Sequence, residues 1–147
     1  MSSNKIGFSH KTIGFSGTVV SGRKIGKTLG FPTANILTDQ KVSLLNGVYG
    51  VRIHVKGQIH YGVMNIGRRP SFQLDNHEVS CEVHIFHFSQ SIYKEDVEVT
   101  VCFFVREEKT FPSIEDLILQ IKNDIKDVKE QFVQSGYSKN RLLKIGS

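Results

Sequence analysis

The strongest constraint on the fold of this chain is a strict alternation of side chains near its carboxyl-terminal third. Every second position over nine residues is valine or phenylalanine, namely Val97, Val99, Val101, Phe103 and Val105. The opposite positions are Glu98, Thr100, Cys102, Phe104 and Arg106. Because successive side chains of a β-strand point to opposite faces, this period of two predicts a strand with one buried face.

Shorter segments upstream show the same alternation. Residues 49–55 and 59–63 alternate on either side of Lys56-Gly57, which predicts a β-hairpin, and Val79, Cys81, Val83 and Ile85 form the apolar face of a further strand. Several strands separated by turns, with no helix between them, predict an antiparallel barrel or sandwich rather than a βαβ fold.

One amphipathic helix follows the last strand. Ser113, after Pro112, is a suitable N-cap with Asp116 three residues on, and the apolar positions up to Gly136 recur at helical spacing. These positions are Leu117, Ile118, Ile121, Ile125, Val128 and Phe132. We expect this stripe to pack on the strands as part of the core. Residues 135–147 are predicted to be a loosely held tail.

Composition is consistent with a single globular domain over residues 1–147, with a core at about 15–134. The chain has 147 residues, 39% of them apolar, which suffices for one hydrophobic core. No apolar run approaches the roughly 18 residues of a membrane span, and residues 1–10 lack a signal-peptide core, so we expect a cytoplasmic protein that does not bind membranes. Cys81 and Cys102 are predicted to be reduced thiols in or near the core.

Residues 17–35, GTVVSGRKIGKTLGFPTAN, have the composition of a phosphate-binding loop. The glycines after the first strand are Gly22, Gly26 and Gly30, and the basic residues are Arg23, Lys24 and Lys27. Glycines let several backbone N–H groups face one anion. A Walker A motif is excluded, because three residues separate Gly22 from Gly26 where that motif has four. Pro32 also prevents the helix that must follow a Walker A loop. The alternative is a basic, solvated turn.

The net charge of +5 favours anionic ligands such as ATP, although nucleic acid would be attracted equally well.

The whole glycine-rich string closely resembles the nucleotide-binding signature of the riboflavin kinase (flavokinase) family, whose hallmark is LGFPTAN. Five further motifs stand in the family's order and spacing: NGVYGV at 46–51, GVMNIG at 62–67, RPSF at 69–72, EVHIF at 82–86 and REEKTF at 106–111. The resemblance covers residues 17–132. It implies a six-stranded antiparallel Greek-key β-barrel with a C-terminal α-helix packed on it. It also implies ATP-dependent phosphorylation of the riboflavin 5′-hydroxyl to give FMN and ADP.

The resemblance also implies roles for individual residues. It assigns nucleotide binding to Gly22, Arg23, Lys24, Gly26, Lys27, Gly30, Thr33 and Asn35, and metal binding to Thr33 and Asn35. The hydroxyl of Thr33 and the amide oxygen of Asn35 are hard ligands that suit Mg²⁺, with Mn²⁺ or Zn²⁺ as alternatives. Without the resemblance, a threonine and an asparagine after proline would indicate a turn or the start of a strand.

Glu82 is the candidate catalytic base. It alternates with the apolar face of its predicted strand, so its side chain should leave the core, where a carboxylate could accept the proton of a substrate hydroxyl. A solvated carboxylate is the alternative. His84 shares its face and is interpreted as a surface hydrogen-bonding residue.

The flavin pocket is expected to use Asn65, Arg69, Phe72, Arg106 and Phe111. A flavin ring needs an apolar slot with a few polar groups at its edge. The aromatic and arginine side chains could equally serve ordinary packing, or a salt bridge to Glu107 or Glu108.

Many bacterial relatives carry an additional amino-terminal adenylyltransferase domain that makes FAD and contains a His-x-Gly-His type motif. No motif of that type precedes Gly17. We therefore expect a protein that stops at FMN, either as a stand-alone kinase or as the kinase domain of a longer chain. We also expect a monomer. Two alternatives remain: a non-catalytic flavin-binding regulatory module, and a basic barrel that binds single-stranded nucleic acid. The second is disfavoured because most aromatic residues fall in loops or at core positions, and we expect no nucleic-acid partner.

Overall fold

The computed structural model describes residues 13–21, 29–70 and 77–136. Within these ranges the chain forms six strands and then one helix. They are β1 (Ile13–Val20), β2 (Ala34–Leu37), β3 (Gly47–Val55), β4 (Gln58–Pro70), β5 (His77–Ile85), β6 (Asp96–Glu107) and α1 (Ile114–Gln134). In this part of the chain no helix combines the length and the apolar character that crossing a membrane requires.

The six strands close into one antiparallel barrel in the order β1-β2-β5-β4-β3-β6. Strands β3, β4 and β5 are consecutive neighbours, and β6 returns to lie beside β3. This is the Greek-key arrangement of four strands. The predicted six-stranded Greek-key barrel with one C-terminal helix is therefore confirmed.

The barrel interior is filled by the apolar faces that the alternation predicts. Its most deeply buried side chains are Val51, Ile53, Met64, Ile66, Val83, Val97 and Val99. Cys81 is buried among them and Cys102 is half-buried, and both are free thiols, as predicted. Burial raises the pKa of the Cys81 thiol to about 12, so it remains protonated and behaves as an apolar core residue.

The predicted hairpin is present, with Val55 of β3 opposite Gln58 of β4. Lys56 and Gly57 have φ angles of 51° and 76°, as a tight two-residue turn between right-twisted strands requires.

Strand β6 departs from the strict alternation predicted for it. Tyr49 lies opposite Phe104 and Gly50 opposite Phe103, but the next residue of β3, Val51, lies opposite Val101, so Cys102 is an extra residue in β6. A second irregularity follows between Val48 and Tyr49. Such bulges change which face a strand presents. The prediction of one continuous apolar face is wrong beyond Val101, because β6 supplies the barrel interior first and the helix interface afterwards.

Helix α1 begins and packs as predicted. The Ser113 side chain accepts a hydrogen bond from the backbone N–H of Asp116, which caps the helix. Val128 and Phe132 are fully buried. Together with Phe86 they form a second apolar cluster on the outside of the barrel, and Tyr61, Val63, Phe103 and Val105 pack against it. Of the predicted tail, only Ser135 and Gly136 lie among the described residues.

Candidate active site

Glu82 lies at the centre of a polar row on the outer surface of the barrel. In β5 it stands opposite Asn35 of β2 on one side and opposite Asn65 of β4 on the other. Directly opposed residues of neighbouring strands project to the same face, so these three side chains share one surface. The neighbours of Glu82 in β5, Cys81 and Val83, are core residues, which accounts for its outward direction.

A cleft of about 360 Å³ lies between this outer surface and helix α1. Its polar lining includes Thr33, Asn65, Glu82, His84 and Arg106, and its apolar lining includes Phe31, Val48, Val63, Phe111, Leu117, Ile121 and Ile125. The cleft therefore combines apolar walls on both sides with a short row of polar groups, which is the usual composition of a small-molecule site.

The hydroxyl of Thr33 donates a hydrogen bond to Oε1 of Glu82 at 3.1 Å. The two residues are far apart in sequence but diagonal neighbours in space, because β2 pairs with β5. This bond orients the carboxylate, and among the described residues no hydrogen bond to its second oxygen is present, so that oxygen can accept from a further donor. The pairing of β2 with β5 thus brings both candidate metal ligands beside the candidate base, Thr33 through its hydrogen bond and Asn35 as the residue directly opposite.

A second cavity of about 600 Å³ lies on the other side of Thr33. It is lined by the end of β1, by residues 32–35 that include Asn35, and by the loop between β5 and β6 with Ile92 and Tyr93. Among the described residues, Thr33 alone lines both this groove and the cleft beneath α1. Two cavities of ligand size therefore meet beside the Glu82 carboxylate.

Arg106 is held by helix α1. Its Nε and Nη2 atoms donate to the two carboxylate oxygens of Asp124 at 2.9 and 2.8 Å. Nη1 donates to the backbone oxygen of Glu107, and the guanidinium lies 5.9 Å from the centre of the Phe111 ring. The acidic partner is thus Asp124 rather than the side chain of Glu107 or Glu108. This pair ties the end of β6 to the helix and closes one wall of the cleft.

The aspartate itself is well satisfied. The Asp124 side chain is 6% exposed and also accepts a hydrogen bond from Nε2 of Gln120 at 2.9 Å. A bidentate contact with a guanidinium is the strongest pairing open to a buried carboxylate. Asp124 therefore fixes Arg106 and the helix relative to each other.

His84 lines the same cleft two residues after Glu82. Its Nδ1 lies 2.9 Å from the backbone oxygen of Pro32. A carbonyl oxygen can only accept, so Nδ1 carries the proton. Burial lowers the pKa of His84, the hydrogen bond to Pro32 opposes that shift, and the positive charge of Lys129 adds to it. His84 is thus a hydrogen-bonding residue on the outer face of the barrel, as predicted, although its ring is half-buried and its partner is the segment that contains Pro32.

Several candidate residues lie outside the described parts of the chain. These are Gly22, Arg23, Lys24, Gly26 and Lys27 of the glycine loop, and Phe72. The backbone of Arg69 pairs with that of Glu78. Gly30, at the end of the loop, has a φ of 92°, a conformation that glycine adopts without strain.

Sequence reasoning missed Asp124, although a signal for it exists. Positions 117, 121, 124 and 128 recur at helical spacing, so an aspartate stands in the stripe of α1 that faces the barrel. A charged residue in a buried stripe needs an opposite charge, and it indicates an ion pair with a neighbouring element. For His84 the sequence carries no comparable signal, because its partner is a backbone oxygen.

Comparison with known proteins agrees with this architecture. The profile of the flavokinase (riboflavin kinase) family matches residues 9–132. A Bacillus subtilis protein named RNA-binding riboflavin kinase RibR is 48% identical over 118 residues, which cover 80% of this chain and 50% of the relative. A Haemophilus influenzae bifunctional riboflavin kinase/FMN adenylyltransferase is 44% identical over 117 residues, which cover 79% of this chain and 37% of the relative. The chain thus spans half or less of the length of these relatives.

Two solved structures share the fold. A protein from Streptococcus pneumoniae described as a macrolide-efflux protein matches with a TM-score of 0.73 and 31% identity, over 86% of this chain and 40% of the other. Riboflavin kinase from Trypanosoma brucei matches with a TM-score of 0.62 and 22% identity, over 95% of this chain and 94% of the other. With the family profile matched along most of its length, the chain belongs to the riboflavin kinase (flavokinase) family.

Proposed function

We propose that this chain transfers the γ-phosphoryl group of ATP to the 5′-hydroxyl of riboflavin, giving FMN and ADP. The observation that carries the proposal is the meeting of two cavities at Thr33, beside the Glu82 carboxylate. A two-substrate transfer needs a donor site and an acceptor site that share one point, with a base at that point. Family membership supplies the identity of the two substrates.

The cleft beneath α1 is assigned to riboflavin. Its volume of about 360 Å³ lies within the range of roughly 300 to 1,000 Å³ usual for small-molecule sites. Val48 and Val63 on the barrel face Leu117 and Ile121 on the helix across it, and these apolar walls suit a flat aromatic ring system. Asn65 offers donors and an acceptor at its edge, whereas Arg106 is largely engaged by Asp124. We therefore assign Asn65 and Phe111 to flavin contact and Arg106 to the shape of the wall.

The groove beyond Thr33 is assigned to the nucleotide. Its lining by the end of β1 and by residues 32–35 places it where the glycine-rich segment leaves and rejoins the barrel. We propose that Gly22 to Gly30 contact the phosphates, with charge from Arg23, Lys24 and Lys27. Thr33 and Asn35 offer two hard oxygen ligands there, which fits a divalent cation that takes its remaining ligands from phosphates and water. Bound there, Mg²⁺ would neutralise phosphate charge.

Glu82 is proposed to act as the base. The oxygen of the riboflavin 5′-hydroxyl forms a bond to the γ-phosphorus, and the bond between that phosphorus and the bridging oxygen of ADP breaks, with its electron pair leaving on ADP. The hydroxyl proton passes to the carboxylate of Glu82. Thr33 donates to Oε1, and we assign the proton to the second oxygen, Oε2.

The test is an assay with riboflavin, ATP and Mg²⁺ in which FMN is separated by chromatography. We expect the wild type to form FMN, and Glu82→Gln to lose about 10² to 10⁴ of the rate, as loss of a general base does. Riboflavin binding, followed by quenching of flavin fluorescence, should survive that substitution. A folded wild type that binds riboflavin without forming FMN would favour a regulatory module.

We further propose a cytoplasmic monomer that uses Mg²⁺ and has no nucleic-acid partner. The free thiols of Cys81 and Cys102 suit a reducing compartment. Among the described residues, the exposed large aromatic side chains are Tyr93 on a loop and Phe104 on β6, which do not form the row of stacking platforms that single-stranded nucleic acid requires. Light scattering tests whether the protein is a monomer. Titration with single-stranded RNA at physiological salt tests whether it binds nucleic acid.

A further inference from the structure

The segment from Phe31 to Thr33 is held against β5 by two side-chain hydrogen bonds. Thr33 donates to Oε1 of Glu82 at 3.1 Å, and Nδ1 of His84 donates to the backbone oxygen of Pro32 at 2.9 Å. Glu82 and His84 are alternate residues of β5 and project from the same face. The ring of Phe31 also meets the ring of His84 edge-on, with 6.2 Å between centroids.

Backbone pairing does not reach this segment. Strand β2 pairs with β5 at Ala34–Val83 and Asn35–Glu82, and within the described residues that ladder stops there. If the register continued, Thr33 would stand opposite His84. The chain immediately before, at Gly30, has a φ of 92°, outside the extended region. Beyond the last backbone pair, the side chains of Glu82 and His84 in β5 hold the segment instead, next to the contact between Thr33 and Glu82.

The hydrogen bond of His84 acts on the residue next to Thr33. Fixing the carbonyl of Pro32 fixes the plane of the peptide between Pro32 and Thr33 and therefore the direction in which the Thr33 side chain leaves the backbone. With that direction fixed, a single rotamer of the Thr33 side chain places its hydroxyl on Glu82. Loss of the hydrogen bond frees that peptide plane and moves the Thr33 hydroxyl.

We propose that His84 is a positioning residue for phosphoryl transfer, acting through Pro32 on Thr33, and hence on the contact between Thr33 and Glu82. The inference rests on the proposed function, because it assigns importance to the Thr33 hydroxyl at the meeting point of the two cavities. His84 is a neutral imidazole with its proton on Nδ1 and a hydrogen-bond acceptor at Nε2. The feature that matters is its N–H donor, and not its ring alone.

Two substitutions separate the donor from the ring. His84→Phe keeps an aromatic ring between Phe31 and Phe86 but has no donor, whereas His84→Asn has no ring but carries an N–H donor bonded to Cγ, as Nδ1 is. We expect His84→Phe to lower kcat about 10- to 100-fold, the range that follows from a displacement of about 1 Å at a reacting site. We expect His84→Asn to recover most of that loss and to bind riboflavin with an affinity near that of His84→Phe.

His54 provides the matched control. It is an exposed histidine of β3 that lies 3.5 Å from Glu98 and lines neither of the two proposed substrate sites. His54→Phe should leave kcat and both KM values within about twofold of the wild type. Equal kcat values for the two His84 variants, or greater activity in His84→Phe than in His84→Asn, would overturn the proposal, since packing would then matter more than the donor.

The tautomer of His84 provides a measurement independent of turnover and of the folding of variants. Two-bond ¹H–¹⁵N correlation spectra of the wild type at pH 7.5 should show a protonated Nδ1 and an unprotonated Nε2. A proton on Nε2 would overturn the inference even in an active enzyme. A wild type with the expected tautomer that forms no FMN would instead overturn the proposed function.

Discussion

The ion pair between Arg106 and Asp124 allows a quantitative test of how the helix is held on the barrel. The Arg106 side chain is 20% exposed and that of Asp124 is 6% exposed. Removing one partner of a buried ion pair costs about 3 to 5 kcal/mol, because the other charge stays buried and unpaired. Arg106→Leu leaves the more deeply buried charge of Asp124 unpaired, so we expect it to lower the free energy of unfolding by about 4 kcal/mol. Asp124→Leu leaves Arg106 unpaired but partly reached by water, so we expect it to lower the free energy of unfolding by about 3 kcal/mol.

The double variant distinguishes this mechanism from a simple loss of packing. With both charges replaced by leucine no buried charge remains, and apolar replacements of buried pairs are often close to neutral. We expect the free energy of unfolding of Arg106→Leu/Asp124→Leu to lie within about 1.5 kcal/mol of that of the wild type. Gln120 then loses its acceptor on Asp124, which accounts for part of that residual cost.

Urea denaturation followed by circular dichroism measures the four free energies of unfolding. Each single variant should also lower Tm by roughly 6 to 16 °C, at 2 to 4 °C per kcal/mol for a domain of about this size. The exposed pair of His54 and Glu98, at 3.5 Å, is the control, and Glu98→Gln should cost less than about 0.5 kcal/mol. A coupling energy below about 1 kcal/mol between Arg106 and Asp124 would refute the reasoning.

Three further predictions concern the site and the barrel wall. Thr33→Val should lower kcat about 100-fold while Thr33→Ser, which keeps the hydroxyl on Glu82, should lower it less than tenfold; equal losses in steady-state assays would contradict this. Because burial lowers the pKa of His84 in the folded state, the unfolded chain binds an additional proton below about pH 6.5. The stability advantage of the wild type over His84→Asn should therefore shrink in denaturation curves between pH 7.5 and 5.5, and an advantage that grows would contradict it. Gly62→Ala should cost about 3 kcal/mol of unfolding free energy, because the added Cβ would meet the backbone oxygen of His84; an unchanged urea midpoint would show that the strands separate easily there.

The strands and the helix were predictable because their patterns are local. The alternation around Lys56-Gly57 and the capped apolar stripe after Ser113 both appear where the sequence places them. The bulge at Cys102 was not predictable, because apolar residues continue at every second position through it. A bulge depends on which strand lies alongside, and this one lies where β6 pairs with Gly50 and Val51 of β3.

The site was predictable in composition but not in arrangement. The alternation in β5 predicts that Glu82 faces outward, yet the contact with Thr33 arises from pairing between β2 and β5, which are not consecutive. No local pattern encodes that neighbour relation. The partner of Arg106 was equally hidden, because helix α1 brings Asp124 to it only after the helix packs on the barrel.

Strand β2 has a consequence for the motions of the barrel. It has four residues and pairs with β5 at Ala34–Val83 and Asn35–Glu82 in the described part of the chain, whereas the neighbouring β4–β5 ladder extends from Gly62–Ile85 to Pro70–His77. Short ladders open first in native-state hydrogen exchange. We therefore expect the β2–β5 seam, which carries Asn35 and begins next to Thr33, to exchange fastest among the described ladders. A nucleotide bound in the proposed groove should slow amide exchange along that seam.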